Sequence, residues 1–272
     1  MRIYPKKSLG QNFLKDPHYL GKIVEAARII PHDQVLEIGP GLGHLTRVIA
    51  ETGCRLLLLE LDDRLIPLLQ EEFGSRPAVQ IVHADALEYD YSELSGSWKV
   101  VANLPYYIST AVIQKLIEEC GRFTTLTLML QKEVAERIAA DPGGKEYGFL
   151  SVLVQYAAVP RLEFSVPAGA FTPQPKVDST VLTLTMRDRP VTVVNDEALF
   201  QRVIKAAFSQ RRKTLRNSLG QLGYPGEVMN AVKERTGIDL GRRAETLSVS
   251  EFCRLANFLG RRQGERTDTE TT

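Results

Sequence analysis

Asn103-Leu104-Pro105-Tyr106 follows the apolar run Lys99–Ala102 and carries the most specific chemistry in this sequence. The exocyclic amine of a nucleobase is a poor nucleophile, because its lone pair is conjugated into the ring. An Asn side-chain oxygen and a backbone carbonyl can accept both of its N–H bonds, drawing the nitrogen toward tetrahedral geometry and aiming the lone pair. Pro105 stiffens that backbone, and Tyr106 offers a ring face on which a base can stack. No strongly basic side chain is needed, since the amine can lose its proton after attack. A strand-end proline turn capped by an Asn is the ordinary structural alternative.

Three further features fit an adenosine-bearing cofactor. Glu37-Ile38-Gly39-Pro40-Gly41-Leu42-Gly43 is a Gly-rich turn after a short apolar run, where backbone can approach a ligand closely. It is not the strict dinucleotide fingerprint, because His44 stands where a third glycine is required. Glu60 ends the apolar run Leu56–Leu59 and can accept hydrogen bonds from both hydroxyls of a ribose. Asp85 ends the run Val79–Ala84, where it can accept from an adenine amino group. Acids often end strands as turn formers, but a glycine turn and two acids at three successive strand ends favour S-adenosylmethionine over a nicotinamide cofactor.

The elements that must position these residues alternate along the chain. Apolar strand patterns at 34–40, 55–61, 79–84, 99–102 and 124–130 are interleaved with helical patterns at 17–28, 44–51, 63–73, 110–120 and 132–140. That alternation predicts a doubly wound α/β sheet. Two β-rich runs, 161–166 and 180–186, flank FTPQPKVDS and predict an antiparallel pair closing the sheet. From Asp196 onward only helical patterns occur, at 197–209, 212–222, 225–236 and 248–261. The expected organisation is a sheet domain over 1–187, a smaller all-α domain over 196–262, and a disordered tail over 263–272.

Length and composition agree with two modest domains. The 272 residues are 43% hydrophobic and 25% charged, ordinary globular values that exclude disordered and fibrous classes. No apolar run approaches the length of a membrane span, and MRIYPKKSLGQNFLKD lacks the apolar core of a secretory signal. Cys54, Cys120 and Cys253 form neither a disulfide framework nor a zinc motif. A cytoplasmic protein without membrane association and without a metal is expected. The net charge of +1 hides a split, −4 over residues 1–185 and +5 over 186–272. Between Ala198 and Gly226 six bases occur with no acid, among them Arg211, Arg212, Lys213 and Arg216. Positions 212, 213 and 216 share a face if this stretch is helical. Such a face is either simply solvated or bound to a polyanion.

Taken together, the motifs KSLGQNFL, LEIGPGLGHLT, LELD, HADAL, ANLPYYIST, LMLQKEVAERI, FTPQPKVDSTVL and FSQRRKTLRNSL resemble those of the ribosomal RNA adenine dimethyltransferases. That family includes the bacterial small-subunit (16S) enzymes of the kasugamycin-sensitivity type, their eukaryotic and archaeal counterparts, and the large-subunit macrolide-resistance methylases. The resemblance runs from Lys7 to about Leu259. It implies a Rossmann-like S-adenosylmethionine methyltransferase sheet followed by a helical rRNA-binding domain. Gln11, Asn12 and Leu14 match a leader that folds over the methionine end of the cofactor. Gly39 and Gly41 would lie beneath it with Glu37 just behind, and Glu60, Asp85 with Ala86, and Asn103 match its contacts. Tyr106 and Phe171 would sandwich the target adenine, a role for Phe171 that its residue type alone does not indicate.

FSQRRKTLRNSL and YGFLSVLVQ fit the small-subunit enzymes best. The implied reaction is four methyl transfers giving N6,N6-dimethyladenosine at two adjacent adenines near the 3′ end of 16S rRNA, with S-adenosylhomocysteine as by-product. The expected partner is that rRNA in the small subunit, with no obligate protein partner and a monomeric enzyme. Three alternatives compete. A DNA adenine or large-subunit (23S) rRNA methylase is disfavoured by NLPY rather than DPPY together with FSQRRKTLRNSL. An assembly factor with secondary methylase activity is disfavoured by the intact NLPY tetrad. A nicotinamide oxidoreductase is disfavoured by His44 and by the scattered histidines.

Overall fold

The structure is a computed structural model describing residue 6 and residues 10–267. Lys7, Ser8 and Leu9 of the leader motif and residues 268–272 of the expected tail lie outside the described residues. The chain divides into two compact units, Met1–Glu136 with Val159–Met186, and Arg137–Ala158 with Arg187–Thr272.

The first unit opens with β1 (Phe13–Leu14) and α1 (Pro17–Ala27). Asp16 caps α1 by accepting from the His18 N–H at 2.9 Å, Pro17 occupies the first helical position, and Leu20, Ile23 and Ala27 form the buried stripe. There follow β2 (Gln34–Ile38), α2 (His44–Ala50), β3 (Arg55–Glu60), α3 (Ile66–Phe73), β4 (Val79–His83), β5 (Trp98–Asn103), α4 (Ser109–Glu118) and β6 (Phe123–Gln131). Next come α5 (Lys132–Ala139), α6 (Phe149–Ala157), β7 (Ala158–Val166), β8 (Phe171–Thr172) and β9 (Ser179–Met186).

Seven strands form one sheet in the order β4-β3-β2-β5-β6-β9-β7. Strands β4 through β6 run parallel, and β9 returns antiparallel to β6. Leu56, Leu57, Leu58 and Leu59 are all buried, as an inner parallel strand covered on both faces demands. Strand order reverses at β2, which carries β3 on one side and β5 on the other. The carboxyl ends of β2, β3, β4 and β5 therefore open onto one crevice, the usual ligand position in such sheets. The expected closing runs are β7 and β9, neighbours at one edge. A small antiparallel pair, β1 with β8, sets Leu14 opposite Phe171 and Phe13 opposite Thr172.

The second unit is helical, with α6 joined by α7 (Glu197–Phe208), α8 (Leu215–Leu219), α9 (Gly226–Thr236) and α10 (Val249–Thr267). Phe208 bridges its core, 6.0 Å from the Tyr147 ring and 5.6 Å from Phe252. Three expectations change here. Helix α6 clusters with the C-terminal helices rather than within a 1–187 domain. Its sequence FLSVLVQYA is apolar on nearly all sides and needs cover from more than one neighbour, which α7 and α10 supply. Residues 263–267 continue α10 instead of beginning a disordered tail. The helix expected over 212–222 shortens to α8, with Thr214 extended at its start (φ −71°, ψ 159°). The first N–H groups of α8 are drawn away, Leu215 to the Arg242 carbonyl at 2.8 Å and Arg216 to the Leu240 carbonyl at 3.0 Å.

Candidate functional site

A cavity of about 780 Å³, counting its open mouth and the solvent space there, lies at the strand carboxyl ends of the first unit. The sequence-predicted residues Gln11, Asn12, Gly39, Gly41, Glu60, Asp85, Ala86, Asn103, Leu104, Pro105 and Tyr106 all line it. Gly39 sits at φ +70°, and a Cβ there would meet nothing within 4 Å. The missing side chain thus leaves open space beneath whatever the cavity holds. At Gly41 (φ +62°) a Cβ would stand 2.9 Å from Phe13 Cε1, so the leader packs directly on the loop.

Glu60 is 5% exposed. Its Oε2 accepts from the Gly41 N–H at 3.0 Å and its Oε1 from the Asp62 N–H at 2.8 Å. Burial raises its pKa, and these two N–H donors oppose that rise. The carboxylate therefore ties the glycine loop to the end of β3 while lining the cavity. Asp85 orders its own turn, accepting from the Leu87 N–H at 2.9 Å through Oδ1. Two acids and no Lys, Arg or His line the cavity among the described residues, a field that favours a cationic ligand.

Asn103 ends β5. Its Nδ2 donates to the Asn12 carbonyl at 3.1 Å, which leaves Oδ1 as the free acceptor of the amide. The same bond fastens the leader over the crevice. Gln11 is fastened separately, donating through Nε2 to Asp62 Oδ2 at 2.9 Å. The Arg64 guanidinium, 2.6 Å away, holds the Asp62 carboxyl at about 2, with burial opposing and the Gln11 bond assisting. Tyr106 is half-buried, and its hydroxyl lies 2.7 Å from Ser179 Oγ. Ser109 does not cap α4; its hydroxyl donates to the Tyr106 carbonyl at 3.1 Å.

Three predicted residues are not brought to this cavity. Phe171 is 4% exposed and belongs to a core cluster with Leu14, Leu20 and Ile23. Pairing of β8 with β1 seats it opposite the buried Leu14, so the Tyr106–Phe171 sandwich is not assembled here. Leu14 is also core, and it lines only a smaller adjacent pocket together with Glu37. Residues missed in the sequence are Phe13, Leu61 and Tyr107 at the cavity, Asp62 behind Gln11, and Ser179 behind Tyr106. Asp62 was within reach as the last residue of LELD.

Glu37 lies fully buried, accepting from Thr46 Oγ1 at 2.7 Å. Burial pushes its pKa up to about 8, with the Thr46 bond opposing and nearby Glu60 adding a little. The folded chain therefore keeps this proton where the unfolded chain, near 4.5, releases it. The resulting stability is complete below pH 4.5 and disappears as pH rises to about 8. Melting temperature of the wild type should fall across that window, and Glu37→Gln should flatten the fall; parallel profiles would contradict the assignment.

In the second unit Arg211, Arg212 and Lys213 lie exposed in a turn, and Arg216 lies exposed in α8. They share no helical face, because the helix begins only at Leu215. Arg211 Nη2 donates to the Lys145 carbonyl. Arg212, Lys213 and Arg216 have no carboxylate partner among the described residues. Among the described residues, no group of three His, Cys, Asp or Glu could hold a metal ion, and no helix is long and apolar enough to cross a membrane.

Comparison with known proteins places this geometry in a family. Residues 4–261 match the family model described as ribosomal RNA adenine dimethylase. A ribosomal RNA small subunit methyltransferase A from Geobacter sulfurreducens is 48% identical over 264 residues, covering 94% of this chain and 96% of the relative. The protein of the same name from Moorella thermoacetica is 44% identical over 268 residues, covering 94% and 93%. The crystal structure of a dimethyladenosine transferase from Plasmodium falciparum superposes with a TM-score of 0.74 at 25% identity, covering 89% of this chain and 95% of the other. That of the 23S rRNA methyltransferase ErmE gives 0.70 at 27%, covering 92% and 100%. The crevice at the reversal of strand order, the tethered Asn103 and the family model over nearly the whole chain lead to one conclusion: this chain belongs to the ribosomal RNA adenine dimethylase family.

Proposed function

We propose that this chain transfers methyl groups from S-adenosylmethionine to the N6 amines of two adjacent adenines near the 3′ end of 16S rRNA, giving N6,N6-dimethyladenosine during small-subunit maturation. The observation that carries the reading is the Asn103 amide. Its Nδ2 is committed to the Asn12 carbonyl at 3.1 Å, and its Oδ1 remains to accept an amine N–H at the cavity wall.

The residues present suit the cofactor. Open space over Gly39, with two acids and no basic side chain among the described residues, suits an adenosine joined to a cationic sulfonium. Glu60 and Asp85 would hold the ribose and adenine, Gly39 and Gly41 would leave room beneath, and Gln11 and Asn12 would cover the methionine end. When bound, S-adenosylmethionine supplies an electrophilic methyl group and leaves as the neutral thioether S-adenosylhomocysteine. Asn103 would fix the target amine so that its lone pair faces that methyl group, with Tyr106 stacking the base. Leu104, 1% exposed, and Pro105 keep this wall apolar and rigid. No side chain need act as a strong base, because the methylated amine is acidic enough to release its proton to water.

Glu60 gives a direct check on the cofactor. Glu60→Gln would turn an amide N–H toward one of the two backbone donors now satisfied at 2.8 and 3.0 Å. Cofactor affinity should fall by roughly 1–3 kcal/mol, the scale for hydrogen bonds to a charged acceptor. A titration giving wild-type affinity would remove Glu60 from the site.

Arg211, Arg212, Lys213 and Arg216 would contact rRNA phosphates, positioning the protein without reading sequence. A monomeric enzyme with no obligate protein partner is part of the same proposal. A ribosomal substrate supports a cytoplasmic location. Labelled methyl transfer offered separately to undermethylated small subunits and to large subunits tests the target. Label should enter the small subunit; label confined to the large subunit would favour the 23S reading.

A further inference from the structure

We propose that Ser179 is a positioning residue for the Tyr106 ring: its hydroxyl, fixed at the first residue of β9, holds the tyrosine hydroxyl and thereby sets the ring face before a base arrives. The proposal rests on the reading of Tyr106 as the stacking platform.

The geometry supporting it is specific. Ser179 is 0% exposed and does not line the cavity, so it touches Tyr106 and not the ligand space. The two hydroxyls are 2.7 Å apart across 73 residues of sequence. The serine end is rigid. Ser179 pairs with Gln131 in the β6–β9 ladder, and the neighbouring Asp178 carbonyl accepts from the Lys132 N–H at 3.0 Å. Asp178 Oδ1 also accepts from the Ala168 N–H at 2.9 Å. At the other end, Tyr106 lies outside any helix or strand, its carbonyl bound to Ser109 Oγ at 3.1 Å. Backbone and ring tip are thus held separately, by α4 and by β9. A ring tethered at both ends cannot swing about its first side-chain torsion. Stacking on such a ring orders less on binding, and the amine that Asn103 must hold is presented at a fixed height.

If only the ring face mattered, Tyr106→Phe would be nearly silent. If the hydroxyl tether matters, Tyr106→Phe and Ser179→Ala remove the same bond from opposite ends and should behave alike. Both single variants and the double variant would be assayed for kcat, for S-adenosylmethionine affinity, and for fluorescence of a 2-aminopurine placed at the target position of the RNA. We expect each single variant to lower kcat by about 5- to 10-fold, the factor for one ordinary hydrogen bond. The double variant should be no worse than either single one, because the tether can be lost only once. Cofactor affinity should stay at the wild-type value, while quenching of the 2-aminopurine by stacking weakens in all three.

Wild-type kcat and quenching in the single variants, or losses that multiply in the double variant, would overturn the proposal. Tyr106→Phe leaves β9 untouched, so it decides the matter even if Ser179→Ala folds poorly. A wild-type protein that methylates no small-subunit RNA would instead overturn the functional reading, a separate outcome of the same assay.

Discussion

Asn103→Ala should lower methyl transfer by about 10²–10³-fold, the usual cost of removing one preorganised polar contact to the transition state. The wild-type amide arrives already oriented, because its Nδ2 bond to the Asn12 carbonyl fixes which way Oδ1 faces. Alanine removes an acceptor whose value is greatest as the amine leaves planarity, so kcat should carry the loss. Cofactor affinity should fall by far less than turnover: the variant frees the Asn12 carbonyl of the leader, while Glu60, Asp85 and the glycine loop remain. Single-turnover transfer and cofactor titration on the same preparation separate the two effects. Near wild-type transfer would remove Asn103 from the chemistry.

A second large effect is expected from the basic segment. Reversing Arg212, Lys213 and Arg216 to Glu should weaken binding to the small subunit and flatten its dependence on salt. Each phosphate contact contributes about 0.7–0.9 to the slope of log affinity against log salt, so losing three should reduce it by about 2–3. Arg211 is left out because its guanidinium is engaged by the Lys145 carbonyl. S-adenosylmethionine affinity should not move, because the cavity residues all belong to the first unit. A triple variant with the wild-type slope would mean these side chains only face solvent.

What the sequence disclosed, and what it hid, follows from the range of the interactions. Strands such as Arg55–Glu60 and helices such as Pro17–Ala27 announce themselves through local periodicity, capping residues and glycine stops, and both agree with the reading to within a residue or two. The acids at strand ends and the NLPY turn likewise lie where their spacing places them. Long-range pairing was not legible. Nothing local says that Phe13–Leu14 pairs with Phe171–Thr172, and that pairing turns Phe171 into the core.

The same limit hid the tethers. Gln11 reaches Asp62 across 51 residues, and Tyr106 reaches Ser179 across 73. Charge pattern also misled at 211–213, where bases at helical spacing lie in a turn because tertiary acceptors at Leu240 and Arg242 take the first N–H groups of α8. Its place at the end of β3 marks Glu60 as a ribose acceptor but not as the holder of two backbone N–H groups of its own loops.

The central claim is dimethylation of adenine N6 in small-subunit rRNA. Its most direct measurement is mass spectrometry of 16S rRNA from undermethylated small subunits incubated with this protein and S-adenosylmethionine. The account predicts two adjacent N6,N6-dimethyladenosines near the 3′ end, absent when either component is omitted. Adenines unchanged there, or methyl groups found on a different atom or a different rRNA, would contradict it.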